Sequence, residues 1–153
     1  MSMGLVEELQ AAHGEVVADA AQALQRAHLR HYEAVGPEES RRRLDHLYGL
    51  VLECLTERTL VPICEMGEKT AIERFESGYD IGEVQTAFNV LEEAIWHVVI
   101  ARMPPVDLVE ATGLVGTVLG AGKDALARTW VSLASKHHVS SLDLTALFGG
   151  TKS

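Results

Sequence analysis

Residues 74–101, RFESGYDIGEVQTAFNVLEEAIWHVVIA, decide the fold, because one helix ends inside this stretch and a second helix begins there. Gly78 readily takes the left-handed conformation that ends a helix, and Asp80 followed by Glu83 has the spacing of a capping box. Beyond the cap, apolar side chains recur at steps of three and four residues: Ile81, Val84, Phe88, Leu91, Ile95 and Val98. This spacing predicts a long amphipathic α-helix.

The same periodicity extends in both directions and predicts an all-α fold. We expect five long helices at about 5–34, 37–58, 59–78, 80–103 and 107–136, followed by a short amphipathic helix over 141–148 that carries Leu144, Leu147 and Phe148. The breaks fall near Gly36, Gly78 and Pro104-Pro105, which are residues that commonly end helices. A chain of 153 residues is long enough for one hydrophobic core, so we predict a single helical domain over residues 1–153.

Composition and charge narrow the function classes. The formal net charge of −9 repels a phosphate backbone, so nucleic acid is not an expected partner. No apolar run approaches the length of a membrane span, and the N-terminus lacks the basic residues of a secretory signal. Cys54 and Cys64 lie in helical patterns without CxxC spacing, which is typical of reduced thiols. We expect a cytoplasmic protein without a membrane segment.

Four glycines interrupt the fifth predicted helix, at positions 113, 116, 120 and 122. Each glycine inside a helix costs about 1 kcal/mol relative to alanine, so something must compensate. Gly116 and Gly120 lie one turn apart, a spacing that lets a second helix approach closely. Three interpretations remain open: tight packing inside the bundle, a subunit interface, or a cavity for a small ligand.

A homodimer is expected from apolar residues that lie off the inward stripes of the fourth and fifth helices. Trp96, Val99, Ile100 and Leu114 would be exposed in a simple monomeric bundle. Together with Gly116 and Gly120, these residues form the predicted dimer interface.

Candidate catalytic and metal sites are weak. His28 and His31 form an HxxH pair without the further ligands that zinc needs. Glu93 and His97 share one helix face at a spacing of four residues, which suits an oriented imidazole or an ordinary ion pair. The candidate ligand-binding residues are therefore Glu93, His97, Gly116 and Gly120, and no catalytic residue, metal or cofactor is predicted.

The segment from Glu73 to His97, which begins ERFESGYDIGEVQTAFNVLEEAIW, resembles the N-terminal sensor-type domains of the RsbR/RsbRD class of stressosome co-antagonists. Such domains show a turn of small residues, a short hydrophobic and acidic helix start, and then a long helix. A looser resemblance in helix order covers about Leu24 to Val139. The chain differs in having Glu92-Glu93 where an arginine is common, and we expect it to act without an anti-sigma-antagonist or helix-turn-helix output domain.

The resemblance implies a regulatory role in bacterial stress signalling. We therefore predict a regulatory module, not an enzyme, that senses a small ligand or a partner protein and passes the signal through helix packing. The alternative is a globin-like or bundle protein that binds haem, with His97 as the candidate ligand, or a small hydrophobic molecule beside the glycines.

Overall fold

The computed structural model describes residues 4–143, with side chains up to residue 137. In this part of the chain there are seven α-helices, one 3₁₀ turn and no strand: α1 Leu5–Ala11, α2 His13–Arg26, α3 Arg30–Val35, α4 Pro37–Glu57, α5 Val61–Glu76, α6 Ile81–Arg102, the 3₁₀ turn Pro105–Asp107, and α7 Leu108–Asp143. The predicted all-α class is confirmed. None of the helices in this range is both long and apolar enough to cross a membrane.

The predicted helix signals at the centre of the chain are confirmed. Gly78 has φ of 82°, and the Tyr79 amide donates to the Arg74 carbonyl, so the left-handed glycine ends α5. Asp80 and Glu83 form the capping box of α6, in which the Asp80 amide donates to Glu83 Oε1 at 3.1 Å. Pro37 and Pro62 both stand in the first turn of a helix, where their missing amide hydrogens cost nothing.

The prediction of one helix from about residue 5 to 34 is wrong, since this segment forms α1, α2 and α3. The first break is at Ala12, which leaves helical geometry with φ of −95° and ψ of 11°. The second follows α2, where His28 takes φ of 50° and Leu29 is extended. This turn redirects α3, so that the buried Tyr32 packs on Tyr79 in the loop before α6. A tertiary contact here overrides a continuous helical pattern.

The last helix is longer than predicted. It continues to Asp143, so residues 141–143 belong to α7 and do not start a separate helix. The remaining residues of the predicted C-terminal helix, including Leu144, Leu147 and Phe148, lie outside the described residues. The count of five long helices and a short one is therefore imprecise, although the breaks near Gly36, Gly78 and Pro104-Pro105 are all present.

The core lies around α7, which packs on α4, α5 and α6, while α6 also packs on α2. The α5–α7 contact is the most extensive, and it is close because of a glycine on each helix. A Cβ at Gly67 would lie 2.5 Å from the Gly122 carbonyl oxygen, and a Cβ at Gly122 would lie 2.8 Å from Ile63 Cγ1. Neither position admits a side chain without movement of its neighbours.

Candidate interaction surface

Helices α6 and α7 form an antiparallel pair whose register is fixed by one polar contact. Lys123 Nζ lies 3.0 Å from Glu92 Oε1 and 3.3 Å from Asn89 Oδ1. Trp96 is one turn beyond Glu92, so it lies beside the turn of α7 that precedes Lys123. Gly120 lies in this turn, and Gly116 lies one turn nearer the start of α7.

The outward face of the pair carries apolar and small residues along its length. We define the outer seam as Trp96 and Ile100 of α6 with Val109, Gly113, Gly116, Gly120, Ala127 and Val131 of α7. On α7 these residues recur at steps of three or four, except for one step of seven between Gly120 and Ala127, where Lys123 lies between them. All of them lie within a narrow arc of the helix. Ile100 is 62% exposed and Val109 is 84% exposed, whereas Gly116, Gly120 and Ala127 are half-buried, so the seam is only partly covered within the described chain.

Gly116 and Gly120 face open space. A Cβ built at Gly113, Gly116 or Gly120 meets no atom within 4 Å among the described residues. Tight packing inside the bundle therefore explains Gly122, where α5 approaches, but it does not explain Gly116 and Gly120. Of the three interpretations taken from the sequence, the interface and the cavity remain for these two positions.

Two members of the predicted dimer interface do not belong to the outer seam. The prediction that Val99 is exposed is wrong: it is 1% exposed and packs in the core. It lies one residue before Ile100, which turns it about 100° inward. Leu114 is exposed as predicted, but it lies two positions before Gly116, which places it on the other side of α7, where it lines a groove. Trp96 and Ile100 are exposed as predicted.

The structure does not bring the four predicted ligand-binding residues together. His97 lies on the side of α6 that faces α2, where its Nδ1 is 2.9 Å from Asp19 Oδ2 and its Nε2 is 3.9 Å from Glu93 Oε1. The imidazole is more than half exposed. Gly116 and Gly120 lie on α7, across Trp96 from this pair. Glu93 and His97 thus form part of the α2–α6 contact.

The two histidines of the HxxH pair also separate. His28 is exposed, whereas His31 is anchored to the start of α6: its Nδ1 lies 2.7 Å from Glu83 Oε1, and its amide donates to Glu83 Oε2 at 3.0 Å. Its ring stacks on Tyr79 with centroids 4.6 Å apart. The sequence shows the capping box of Glu83 but no signal for its contact with a histidine 52 positions away.

An elongated groove of about 460 Å³ lies between the N-terminal helix, the end of α4 and α7. Its apolar walls include Leu5, Leu55, Leu60, Leu114 and Val118. The groove contains no histidine, and its polar residues include Glu7, Arg58 and Glu110. Within the described residues, no cluster of three or more histidine, cysteine, aspartate or glutamate side chains is placed to hold a metal ion.

Fold and surface together define an all-helical domain with an exposed apolar face. Comparison with known families adds the class of protein. The model of the N-terminal domain of the RsbT co-antagonist protein rsbRD matches residues 14–133, well over half of the chain, and the chain belongs to this family. The family is regulatory and not catalytic. A search of curated proteins gives no match.

Proposed function

We propose that the chain is a non-enzymatic sensing module that works as a homodimer through the outer seam. Membership in the co-antagonist family supports a regulatory role in stressosome-type signalling. The observation that carries the dimer is the open space at Gly116 and Gly120 beside the exposed Trp96 and Ile100. A face of this kind suits a second α-helix that approaches at short distance.

A second copy of the same chain is the partner that this seam fits best. The seam runs along one straight helix and the helix beside it, so a two-fold axis across α7 would place each seam against its equivalent. Trp96 supplies a large aromatic side chain of the type that dominates interface energies. A dimer of this size should bury about 1,200–2,000 Å² in total.

The test is association across a dilution series, followed by light scattering or sedimentation, for the wild type and for Gly116→Leu. Leucine is a far better helix former than glycine, and a side chain at 116 meets open space in the single chain. We therefore expect Gly116→Leu to raise the stability of the monomer by about 0.5–1 kcal/mol. In the dimer the same side chain would hold the two helices apart. The dissociation constant of the dimer should therefore rise about tenfold or more.

Gly49→Leu is the matched control. Gly49, like Gly116, is a glycine inside a helix where an added Cβ meets no atom within 4 Å, but it lies on α4, away from the outer seam. It should gain the same helix stability without any change in association. A wild type that remains monomeric at high micromolar concentration, or equal association of the two variants, would refute the dimer.

A second candidate function is the binding of a small hydrophobic molecule in the groove beside Leu114. The groove volume of about 460 Å³ is within the range of small-molecule sites, and its walls are mainly apolar. Haem bound through His97 has less support, because His97 lies at the surface between Asp19 and Glu93. Native mass spectrometry of the purified protein would show a retained ligand, and Leu114→Glu should then reduce its occupancy.

A further inference from the structure

A small cavity bordered by two arginines lies between α3, α4, α5 and α6, away from both the outer seam and the groove beside Leu114. It is open on one side, most of its lining is apolar, and its volume of about 30 Å³ holds one or two water molecules or one small ion. Two arginines, Arg43 of α4 and Arg74 of α5, border it together with three hydroxyl-bearing residues, Tyr32, Ser40 and Thr70. The remaining walls are apolar and come mainly from α4 and α6.

Arg74 brings an unused donor to this cavity. Its Nε is buried, and it has no hydrogen-bond partner among the described residues. The side chain is only 14% exposed, and its one ion pair is a long contact of 3.4 Å from Nη1 to Glu73, which is itself half-exposed. A buried guanidinium donor without an acceptor is destabilising, so an occupant that accepts a hydrogen bond is favoured beside it.

The charge around the cavity also favours a negative occupant. The guanidinium of Arg43 donates to the Tyr79 hydroxyl at 2.9 Å, and that of Arg74 lies 5.5 Å from the centre of the Tyr79 ring, so the two cations are close neighbours. Glu39 contacts Arg43 at 3.3 Å, but it is shared with the exposed Arg42. No carboxylate is among the residues that line the cavity itself.

Tyr32 borders both this cavity and a neighbouring groove. Tyr32 and Ser40 both line this open groove of about 310 Å³ between α2, α3 and α4. Burial raises the pKa of Tyr32, against the opposite effect of the Arg74 and Arg43 guanidiniums. The phenol therefore stays protonated at neutral pH and offers a hydroxyl, not a competing negative charge.

We propose that the cavity between Arg43 and Arg74 binds a small monovalent anion of the size of chloride or nitrate. The Arg74 guanidinium supplies the charge and the free Nε donor, Arg43 supplies the second charge, and the hydroxyls of Ser40 and Thr70 line the site. The volume of about 30 Å³ favours a small anion over a larger oxyanion such as sulfate. The site stands independently of the homodimer and of the groove ligand.

The direct test is the ³⁵Cl NMR linewidth of the full chain in sodium chloride, titrated with sodium nitrate. We expect excess broadening that nitrate removes and that sulfate at equal ionic strength does not. Crystals grown in sodium bromide should show an anomalous peak within hydrogen-bond distance of Arg74 Nε. Water at that position, or no displaceable broadening, would show that the cavity is only hydrated and would overturn the proposal.

Two variants locate the site. Arg74→Lys keeps the charge but removes the buried Nε donor, and Thr70→Val keeps the shape but removes a hydroxyl that lines the cavity. Each should weaken chloride binding about tenfold, since one hydrogen bond to a charged group is lost. Arg42→Lys is the control, because Arg42 is exposed and contacts only the outer carboxylate. Equal broadening in all three variants, with helical content retained, would place the chloride elsewhere and refute the site.

Discussion

The two sides of α7 use glycine in opposite ways. On the inner side Gly122 lies against Gly67 of α5, and a side chain at either position would meet atoms closer than 3 Å. On the outer side, a Cβ added at Gly116 or Gly120 would have no atom of the described chain within 4 Å. The inner glycines are explained by the fold of one chain, whereas the outer ones are not. This difference is the reason for placing an interface on the outer seam.

The largest effect is expected for Gly67→Ala on the inner side. The new Cβ would lie 2.5 Å from a backbone oxygen and 3.1 Å from the Leu126 nitrogen, and backbone atoms inside a helix cannot move away independently. We expect a loss of about 2–3 kcal/mol in the free energy of unfolding, even after the gain from alanine's helix propensity. Urea denaturation measures it, with Gly49→Ala as the control that should gain stability. An unchanged value would mean that α5 and α7 are farther apart.

A second prediction concerns how the free energy of unfolding depends on pH through Glu83, which lies away from the outer seam. Burial alone would raise the pKa of Glu83, but its hydrogen bonds from His31 and Asp80 outweigh burial and hold the pKa below the usual 4.5. A lowered folded pKa stabilises the fold above pH 4.5, and this contribution is lost as the pH falls through the folded value. Glu83→Gln should cost about 1–2 kcal/mol at pH 7 and less in acid.

Urea denaturation at pH 7 and pH 3.5 tests this expectation, with the exposed Glu53→Gln as the control. Glu83 lies at the start of α6, several turns from Trp96, so association through the outer seam at pH 7 should be unchanged in the variant. A difference between wild type and Glu83→Gln that grows in acid would contradict the sign of the pKa shift.

A smaller effect is expected at the other inner glycine. A Cβ at Gly122 meets Ile63 Cγ1 at 2.8 Å and Phe88 Cε1 at 3.0 Å, and both of these atoms belong to side chains that can shift. Gly122→Ala should therefore destabilise by about 1 kcal/mol, less than Gly67→Ala. Thermal or urea unfolding of both variants under identical conditions gives the ranking. The reverse order would show that backbone contact is not what limits the α5–α7 distance.

The smallest effect, with opposite sign, is expected on the outer side. Gly120→Ala adds a methyl group in open space within a helix, so the dilute monomer should gain about 0.5–1 kcal/mol. Unfolding measured at low micromolar concentration checks it. A loss of stability at that dilution would mean that an atom lies against Gly120 in the single chain, and the contrast between the two sides of α7 would disappear.

Much of the fold could be predicted from the sequence because its signals are local. Gly78, the capping box of Asp80 and the prolines at helix starts act within one turn of the chain, and all are present in the structure. The break at Ala12 has only a weak local signal, since alanine is the best helix former and the nearest glycine, Gly14, predicts a weak or bent point two residues later. The redirected turn at His28 depends on contacts with Tyr79, which is distant in sequence.

The surface was only partly predictable. Trp96 and Ile100 are exposed as expected from their positions off the inward stripe, but Val99 is in the core because α6 packs on both α2 and α7. The regular spacing of the outer seam on α7 is visible in the sequence once its members are known. The cavity between Arg43 and Arg74 could not be predicted from the sequence. Its residues Tyr32, Arg43 and Arg74 lie on three different helices, and only the packing of these helices brings them together.

The length of α7 has a mechanical consequence. Its 36 residues span about 54 Å, and its last turns with described side chains, up to residue 137, are largely exposed. A continuous α-helix resists twisting and stretching, because every turn is tied to the next by hydrogen bonds. We therefore expect a partner bound at the outer seam to exert its effect at the far end of α7, about 40 Å away along one continuous helix.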